Sequence, residues 1–315
     1  MFLYKKENFK GGKMAGLMIK DAAETPIKAI KSHYNNKLSL IYIKNRLHKI
    51  FEKEINSPKS IFIKVKGGVI DKIASFVAGD IDRACSVGIA GETASGKSTI
   101  AFDIISKIQE FADQYALDNI ITRINIDDYY YDRSEMVKAA GSFAEFAKNY
   151  DLDVPEALEL ELMKKHMKQL LNGESVKLPK YDMSGTAKRY DNFLPVEPSK
   201  VIISEGLFAL TDKIVDAFDF KIYVDVSRDV QKERFYIRAA ERDLGDSSDE
   251  VYENAYRKAQ VYVHPTAMKA DIILSGEANR EDYKRFISEI IELIEEVHEM
   301  KSHTVSDMSR KLLLQ

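Results

Sequence analysis

Residues 85–100 read Cys85-Ser-Val-Gly-Ile-Ala-Gly-Glu-Thr-Ala-Ser-Gly-Lys-Ser-Thr-Ile. Within them Gly91, Glu92, Thr93, Ala94, Ser95, Gly96, Lys97 and Ser98, followed by Thr99, fill the pattern G-x-x-x-x-G-K-[ST]. Glycines at both ends let the backbone curl so that successive N–H groups point inward. The helix that follows offers its own unpaired N–H groups to the same anion. In that arrangement Lys97 reaches the β- and γ-phosphates and the Ser98 hydroxyl ligates Mg²⁺. The flanks agree. Cys85 to Ala90 is a short apolar run suited to a buried parallel strand, and Ile100, Ala101, Ile104, Ile105 and Ile108 recur at helical spacing. Strand, glycine-rich loop and helix stand in the order a nucleotide-phosphate site requires.

Working outward, the chain alternates strand and helix from Ser60 onward. Strands are expected at 61–65, 85–90, 119–126, 201–204, 220–226 and 270–274. Helices are expected at 69–77, 156–171 (closed by Asn172-Gly173), 228–243, 250–262 and 280–299. Such alternation predicts βαβ units, a parallel sheet covered on both faces, and a binding crevice beyond the carboxyl ends of the strands. Residues 61–300 form the expected catalytic domain, and residues 301–315 a loosely held tail.

The net charge of −3 conceals an asymmetry. Residues 1–66 hold 15 Lys and Arg against 5 Asp and Glu, whereas the remainder holds 32 against 45. Residues 1–60 therefore read as a basic, partly helical extension. Leu40, Ile43, Leu47, Ile50 and Phe51 fall on one helical face, with Lys44, Arg46, Lys49 and Lys53 elsewhere around it and Asn56-Ser57-Pro58 as the stop. A basic amphipathic helix can bind nucleic acid or an anionic membrane. Docking of its apolar face on the chain's own acidic body, or on a second subunit, is the favoured reading. Nucleic acid is not expected as a partner, and a homo-oligomer is.

One cysteine excludes a disulfide scaffold, and Cys85 reads as a buried structural thiol; no Cys/His cluster has zinc-ligand spacing. No apolar run is long enough to span a membrane, and the N-terminus has no secretory h-region, so a cytoplasmic enzyme is expected.

Other residues narrow the phosphate chemistry. A regulatory GTPase needs N-K-x-D, which is absent. A transport ATPase needs a signature that Leu274 to Ala278 matches only in part and in the wrong place. Acidic residues do stand at strand ends: Asp127 and Asp128 after NIITRINI, and Glu205 after VIIS. There one carboxylate can hold Mg²⁺ through water and another can take the proton of a substrate hydroxyl. Arg234, Arg238 and Arg242, at i, i+4 and i+8, stack on one helix face as a lid over a phosphoryl group would require.

These residues carry a resemblance. GETASGKST, IDDYYYD (126–132), DVPEALELEL (153–162), NGESVKLPKYD (172–182), VEPSKVIISEGLFAL (196–210) and HPTAMKADIIL (264–274) follow one another as in the uridine kinase branch of the uridine kinase/phosphoribulokinase family. The resemblance spans about Cys85 to Asn279. It implies a nucleoside monophosphate kinase-like α/β fold with a helical lid, and phosphorylation of a nucleoside 5′-hydroxyl by ATP or GTP with Mg²⁺. Uridine or cytidine is the implied substrate, in pyrimidine salvage. It implies Asp127 as general base, touching the metal as well, and Ser98 and Glu205 in the Mg²⁺ shell. Tyr130, Asp153 and Tyr181 would line the nucleoside pocket, with Asp153 on the ribose hydroxyls. Arg234 would face the substrate, and Arg238 and Arg242 would belong to the lid. The chain departs from the family where a histidine usually meets the pyrimidine, Thr186 standing nearest that place. It departs again at Glu241-Arg242-Asp243-Leu244, where the family has E-R-G-R, and it lacks the family's Gln-Tyr…Arg-Pro run before the last strand. A kinase of another small hydroxyl metabolite, or a nucleotide-dependent binding module whose basic arm contacts RNA, are the alternatives.

Overall fold

The computed structural model describes residues 40–79, 83–241 and 248–313. The expected arm before residue 40 and the lid residue Arg242 lie outside them. A helix over residues 40–55 (α1) leads into β1 (Phe62–Val65), α2 (Val69–Ala78) and β2 (Cys85–Gly91). Then come α3 (Lys97–Gln114), β3 (Ile121–Asn125), α4 (Ser134–Ala140), α5 (Phe143–Asn149), α6 (Leu160–Leu171), β4 (Val176–Tyr181) and β5 (Arg189–Val196). β6 (Val201–Glu205), β7 (Phe220–Asp225), α7 (Arg228–Glu241), α8 (Ser248–Tyr262), β8 (Ile272–Ser275) and α9 (Arg280–Leu313) complete the chain.

Six strands form one sheet in the order β1-β8-β7-β2-β6-β3. Period-2 burial feeds both faces. On β6, Ile202 packs on one layer and Ile203 on the other; on β7, Tyr223 and Val224 divide in the same way. One layer is built from α6 (Leu160, Met163, Met167, Leu170), residues 208–218 and the end of α8; the other from α1, α2, α3 and α9. The α/β architecture with helices on both faces is thus as the alternation predicts. The sheet is not wholly parallel, however. β1 runs antiparallel to β8, with Phe62 opposite Leu274 and Val65 opposite Ile272. It enters at the sheet edge directly from α1, with no crossover from a neighbouring strand to set its direction.

α1 is part of the core. Ile43, Leu47, Ile50 and Phe51 are all buried, and Phe51 stacks on Phe62 at 5.2 Å and meets the edge of Phe286 at 5.2 Å. Its basic side lies on the chain's own acids: Lys44 on Asp71 at 2.9 Å, Arg46 on Glu296 at 2.8 Å, and Lys53 on Glu289. α9 runs on to Leu313, through residues where a tail is expected from the sequence.

The other differences are local. The helix expected from Glu156 starts at Leu160, because Leu158 is extended and bridges to Tyr130 while the Glu159 N–H bonds the Tyr129 carbonyl at 2.8 Å. The hairpin β4–β5 is not foreseen. Both strands contain a proline, which reads as a break, and Pro179 sits at a register shift between Leu178 and Lys180. α4 and α5 are likewise missed, although Ser142 accepting the Glu145 N–H at 3.2 Å is the S-x-x-E start signal.

Candidate active site

β2 delivers the glycine-rich loop at the carboxyl edge of the sheet. At Gly91 a Cβ would stand 2.6 Å from both Ser95 Oγ and the Val224 carbonyl oxygen, so no side chain fits there. Gly96 caps α3 in the left-handed region, at φ 96°. A second approach comes from beyond β8. A Cβ on Gly276 would collide with the Ser95 carbonyl oxygen, so the backbone there lies directly against the loop. Together these leave an anion cradle at the start of α3, where the first N–H groups of a helix have no intrahelical partner.

β6 lies between β2 and β3, and Glu205 at its end sits level with Ile89 and Asn125. That register brings the carboxylate to the loop. Ser98 Oγ donates to Glu205 Oε2 at 2.9 Å, and Arg123 Nη2 donates to Oε1. β3 passes into a 3-10 turn, Ile126–Tyr129, capped by Asn125 Oδ1 on the Asp127 N–H at 3.3 Å. The turn separates the two adjacent aspartates. Asp128 is structural: it accepts the Tyr181 N–H at 3.2 Å and the Lys180 ammonium at 3.0 Å. Asp127 stays with Lys97 and Glu205. Burial first of all raises its pKa from 3.8 to about 6; Glu205 and Asp128 push the same way, and Lys97 and Arg123 oppose them. Burial pushes the Lys97 ammonium down, against the pull of Glu205 and Asp127.

Beside Asp127 is an aromatic wall. The rings of Tyr130 and Tyr181 lie 5.2 Å apart, and Tyr181 Oη is buried with no hydrogen-bond partner among the described residues. Burial drives the Tyr130 hydroxyl well up, and Asp127, Asp153 and Tyr181 add to it, so these four groups share one neighbourhood. Asp153 is itself raised by burial and by Asp151. Beside the loop a cavity of about 350 Å³ is lined by Gly96, Thr99, Asp103, Arg234, Arg238 and Tyr283, among others, and the Arg238 guanidinium adds to the downward push on Lys97.

A hydroxyl and a carboxylate converging 2.9 Å apart suit Mg²⁺, which takes oxygen ligands and keeps several waters and phosphate oxygens. Among the described residues no group of three or more His, Cys, Asp or Glu is placed to hold a metal on its own. The glycine-rich loop and the first N–H groups of α3, which follow Gly96 at φ 96°, offer donors of the kind that phosphate oxygens accept.

Residues 86–281 match the model of the Phosphoribulokinase / Uridine kinase family. The chain belongs to that family. It is 34% identical over 202 residues to a uridine kinase of Halobacterium salinarum, covering 62% of this chain and 81% of that protein. It is 33% identical over 224 residues to a uridine kinase of Clostridium botulinum, covering 68% and 99%. Among solved structures it resembles a phosphoribulokinase from Rhodobacter spheroides at 14% identity and TM-score 0.46, over 62% of this chain and 71% of that one. As a member of the family the chain is a phosphotransferase, a kinase of a nucleoside or other small metabolite with a P-loop for nucleotide. No helix among the described residues is long and apolar enough to cross a membrane.

Within this family frame the site residues named from sequence fall into groups. Lys97, Ser98, Asp127 and Glu205 come together, and Tyr130, Asp153 and Tyr181 adjoin them. Arg234, expected on the acceptor side, lines the cavity beside Gly96 and Thr99 with Arg238. Thr186 is exposed in the turn between β4 and β5, where its hydroxyl donates to Asp182 Oδ2 at 2.6 Å. Glu92 turns its carboxylate away from the cradle, toward Gln231 and Gln260.

Sequence reasoning missed Arg123, Gly276 and Arg189. Arg123 is the lone charge within NIITRINI, and a charged residue inside an apolar strand is itself a signal. Arg189 is held by Glu159 at 2.9 Å and Asp191 at 2.8 Å and donates to the Tyr130 carbonyl at 3.4 Å, steadying the aromatic wall. Nothing in the sequence marked it.

Proposed function

We infer that this kinase transfers the γ-phosphoryl group of ATP or GTP to the 5′-hydroxyl of a nucleoside, uridine or cytidine. The observation that carries this reading is the position of Asp127, a carboxylate with a raised pKa that lies between the Lys97–Ser98 end of the loop and the Tyr130–Tyr181 wall. An acceptor stacked on that wall presents its hydroxyl to Asp127. Poised near pH 6, Asp127 is ionised at neutral pH yet basic enough to draw off the hydroxyl proton as the oxygen attacks phosphorus. Lys97 neutralises charge on the β- and γ-phosphates, and Arg234 and Arg238, which line the cavity beside Gly96 and Thr99, would add positive charge there. Asp153 would accept from ribose hydroxyls, and the buried, unpartnered Tyr181 Oη would serve a base edge. Ser98 and Glu205 would hold Mg²⁺, which would supply charge neutralisation at the transferring phosphate.

A second reading, a small hydroxyl metabolite other than a pyrimidine nucleoside, is favoured by one observation. Thr186, at the place of the family's base-reading histidine, has its hydroxyl committed to Asp182. One screen separates the two. ATP and GTP consumption is followed across uridine, cytidine, adenosine, guanosine, ribulose 5-phosphate, pantothenate and glycerate, with Lys97→Ala as the blank. Phosphorylation of uridine and cytidine supports the first reading. Turnover confined to a non-nucleoside acceptor replaces it with the second.

A further inference from the structure

Glu92, the residue after Gly91, puts a carboxylate into a loop built for a polyanion, and that carboxylate is buried. An ionised group is costly to bury unless it is hydrogen-bonded. Here two helices supply the donors. Gln231 Nε2 of α7 donates to Glu92 Oε2 at 2.8 Å, and Gln260 Nε2 of α8 donates to Oε1 at 3.0 Å, with His264 Nδ1 at 3.5 Å from Oε1. Gln231 is 1% exposed and uses both ends of its amide. Its Nε2 also donates to the Thr93 carbonyl at 3.1 Å, and its Oε1 accepts the Tyr252 hydroxyl at 3.1 Å. Only this orientation of the amide satisfies all three neighbours.

Gln231, Arg234 and Arg238 stand at i, i+3 and i+7, on one face of α7. The amide that grips the loop therefore lies on the same stripe as the two arginines lining the nucleotide cavity, with Arg234 Nη1 beside Gly96. The geometry points to Gln231 and Glu92 as a positioning pair: they dock α7 on the phosphate loop and thereby set where Arg234 and Arg238 stand relative to the transferring phosphoryl. The inference rests on the kinase reading given above. A small apolar residue at 92 would close the loop without a buried charge, but it would leave α7 without this anchor.

The decisive variant is Gln231→Glu, which keeps the shape and sets carboxylate against carboxylate. It is compared with Glu92→Gln and with the exchange Glu92→Gln/Gln231→Glu, which restores a donor–acceptor pair between the two positions. Displacing a positioned group by about 1 Å costs on the order of 10²-fold. Gln231→Glu is therefore expected to lower kcat by about that factor with the acceptor KM little changed, and the exchange to recover at least about tenfold. A residue that served stability alone would shift melting temperature without that split and without rescue. Glu92→Gln keeps the test open if Gln231→Glu fails to fold, because it removes one of the two amide bonds and should lower kcat in the same manner.

A second readout does not depend on turnover. In the wild type Mg·ADP should slow amide exchange across residues 231–238, and in Gln231→Glu this protection should be lost. Near-normal kcat in Gln231→Glu, loss that the exchange does not relieve, or equal protection by Mg·ADP in both proteins overturns the positioning role. If the wild type phosphorylates no acceptor, the proposed function fails, while amide exchange with and without Mg·ADP still decides whether Gln231 couples α7 to the loop.

Discussion

Ser98 Oγ donates to Glu205 Oε2 across 2.9 Å, tying the first turn of α3 to the end of β6. The two side chains are delivered by adjacent parallel strands, one just after the loop that follows β2 and the other at the end of β6. Arg123 holds the other carboxylate oxygen and fixes its direction. Glu205→Gln keeps the shape, removes the charge and turns one acceptor into a donor. Outer ligands of this kind typically carry 10–100-fold in metal affinity, so the Mg²⁺ concentration giving half-maximal nucleotide binding should rise by roughly that factor. Fluorescent-nucleotide titration against Mg²⁺ checks it, and an unchanged Mg²⁺ dependence would remove Glu205 from the metal site.

Asp127 links activity to stability. Burial raises its pKa from 3.8 to about 6, so the folded protein holds that proton more tightly than the unfolded chain. The stabilisation this confers is complete below pH 3.8 and is lost as pH rises through about 6. At neutral pH the ionised carboxylate therefore costs stability, at most roughly 3 kcal/mol. Asp127→Asn should raise the melting temperature of the nucleotide-free protein at pH 7.5, and the gain should shrink by pH 4.5. Its kcat should fall by roughly 10²–10⁴-fold, and wild-type kcat/KM should decline below about pH 6. A melting temperature unaffected at pH 7.5 would contradict the burial argument; near-normal kcat would contradict the role as base.

Gly276 is the loop's outer support. A Cβ there would collide with the Ser95 carbonyl oxygen and press the Asp225 carbonyl oxygen, both rigid backbone atoms. Gly276→Ala must shift the loop or the end of β8, and overpacking of this kind costs typically 1–3 kcal/mol. Calorimetry should show nucleotide affinity reduced at least tenfold in a protein that remains folded. Affinity within twofold of wild type would mean that the loop tolerates displacement.

How much of this is legible in the sequence depends on where the cause lies. The loop, the strand before it and the helix after it are local, and Gly91 to Ser98 announces them. The pairing of Ser98 with Glu205 is also within reach, since the loop that carries Ser98 follows the parallel strand β2 and Glu205 ends the parallel strand β6. Strand β1 reads correctly as a strand, but its antiparallel direction depends on β8, some two hundred residues later in the chain. Thr186 and Arg234 show the same limit. Motif position puts both at the acceptor, whereas Thr186 is tied to Asp182 in the β4–β5 turn and Arg234 lines the cavity beside Gly96.

α1 lies outside the family match, yet its apolar face is inside the core. Phe51 is 1% exposed and sits between Phe62 and Phe286, so it joins α1 to β1 and α9. Phe→Ala at such sites costs about 3–5 kcal/mol. Phe51→Ala should lower stability to denaturant by that amount without altering the ratio of kcat to wild type in the folded fraction. A loss under 1 kcal/mol would mean that α1 is an appendage.

The last prediction concerns how a base is read. A site that discriminates strongly does so with a buried polar group that the wrong ligand leaves unpaired. Thr186 fails that description: it is exposed, and its hydroxyl already serves Asp182. Tyr181 meets it. Its hydroxyl is buried and unpaired among the described residues, its ring faces Tyr130 at 5.2 Å, and burial pushes it up to about 12, so it remains a donor at every working pH. Leaving such a group unpaired costs about 1–3 kcal/mol, which is recovered only by a ligand with an acceptor in the right place. Tyr181→Phe should therefore lower kcat/KM for the preferred nucleoside by roughly 5- to 150-fold, with a smaller effect on poorer ones, compressing the preference. It should also leave stability unchanged or improved, because the unpaired hydroxyl is removed. Thr186→Ala should leave the ratios among uridine, cytidine, adenosine and guanosine within about twofold, since only a turn contact is lost. The outcome that defeats this assignment is the reverse one, in which Thr186→Ala erases the preference and Tyr181→Phe keeps it.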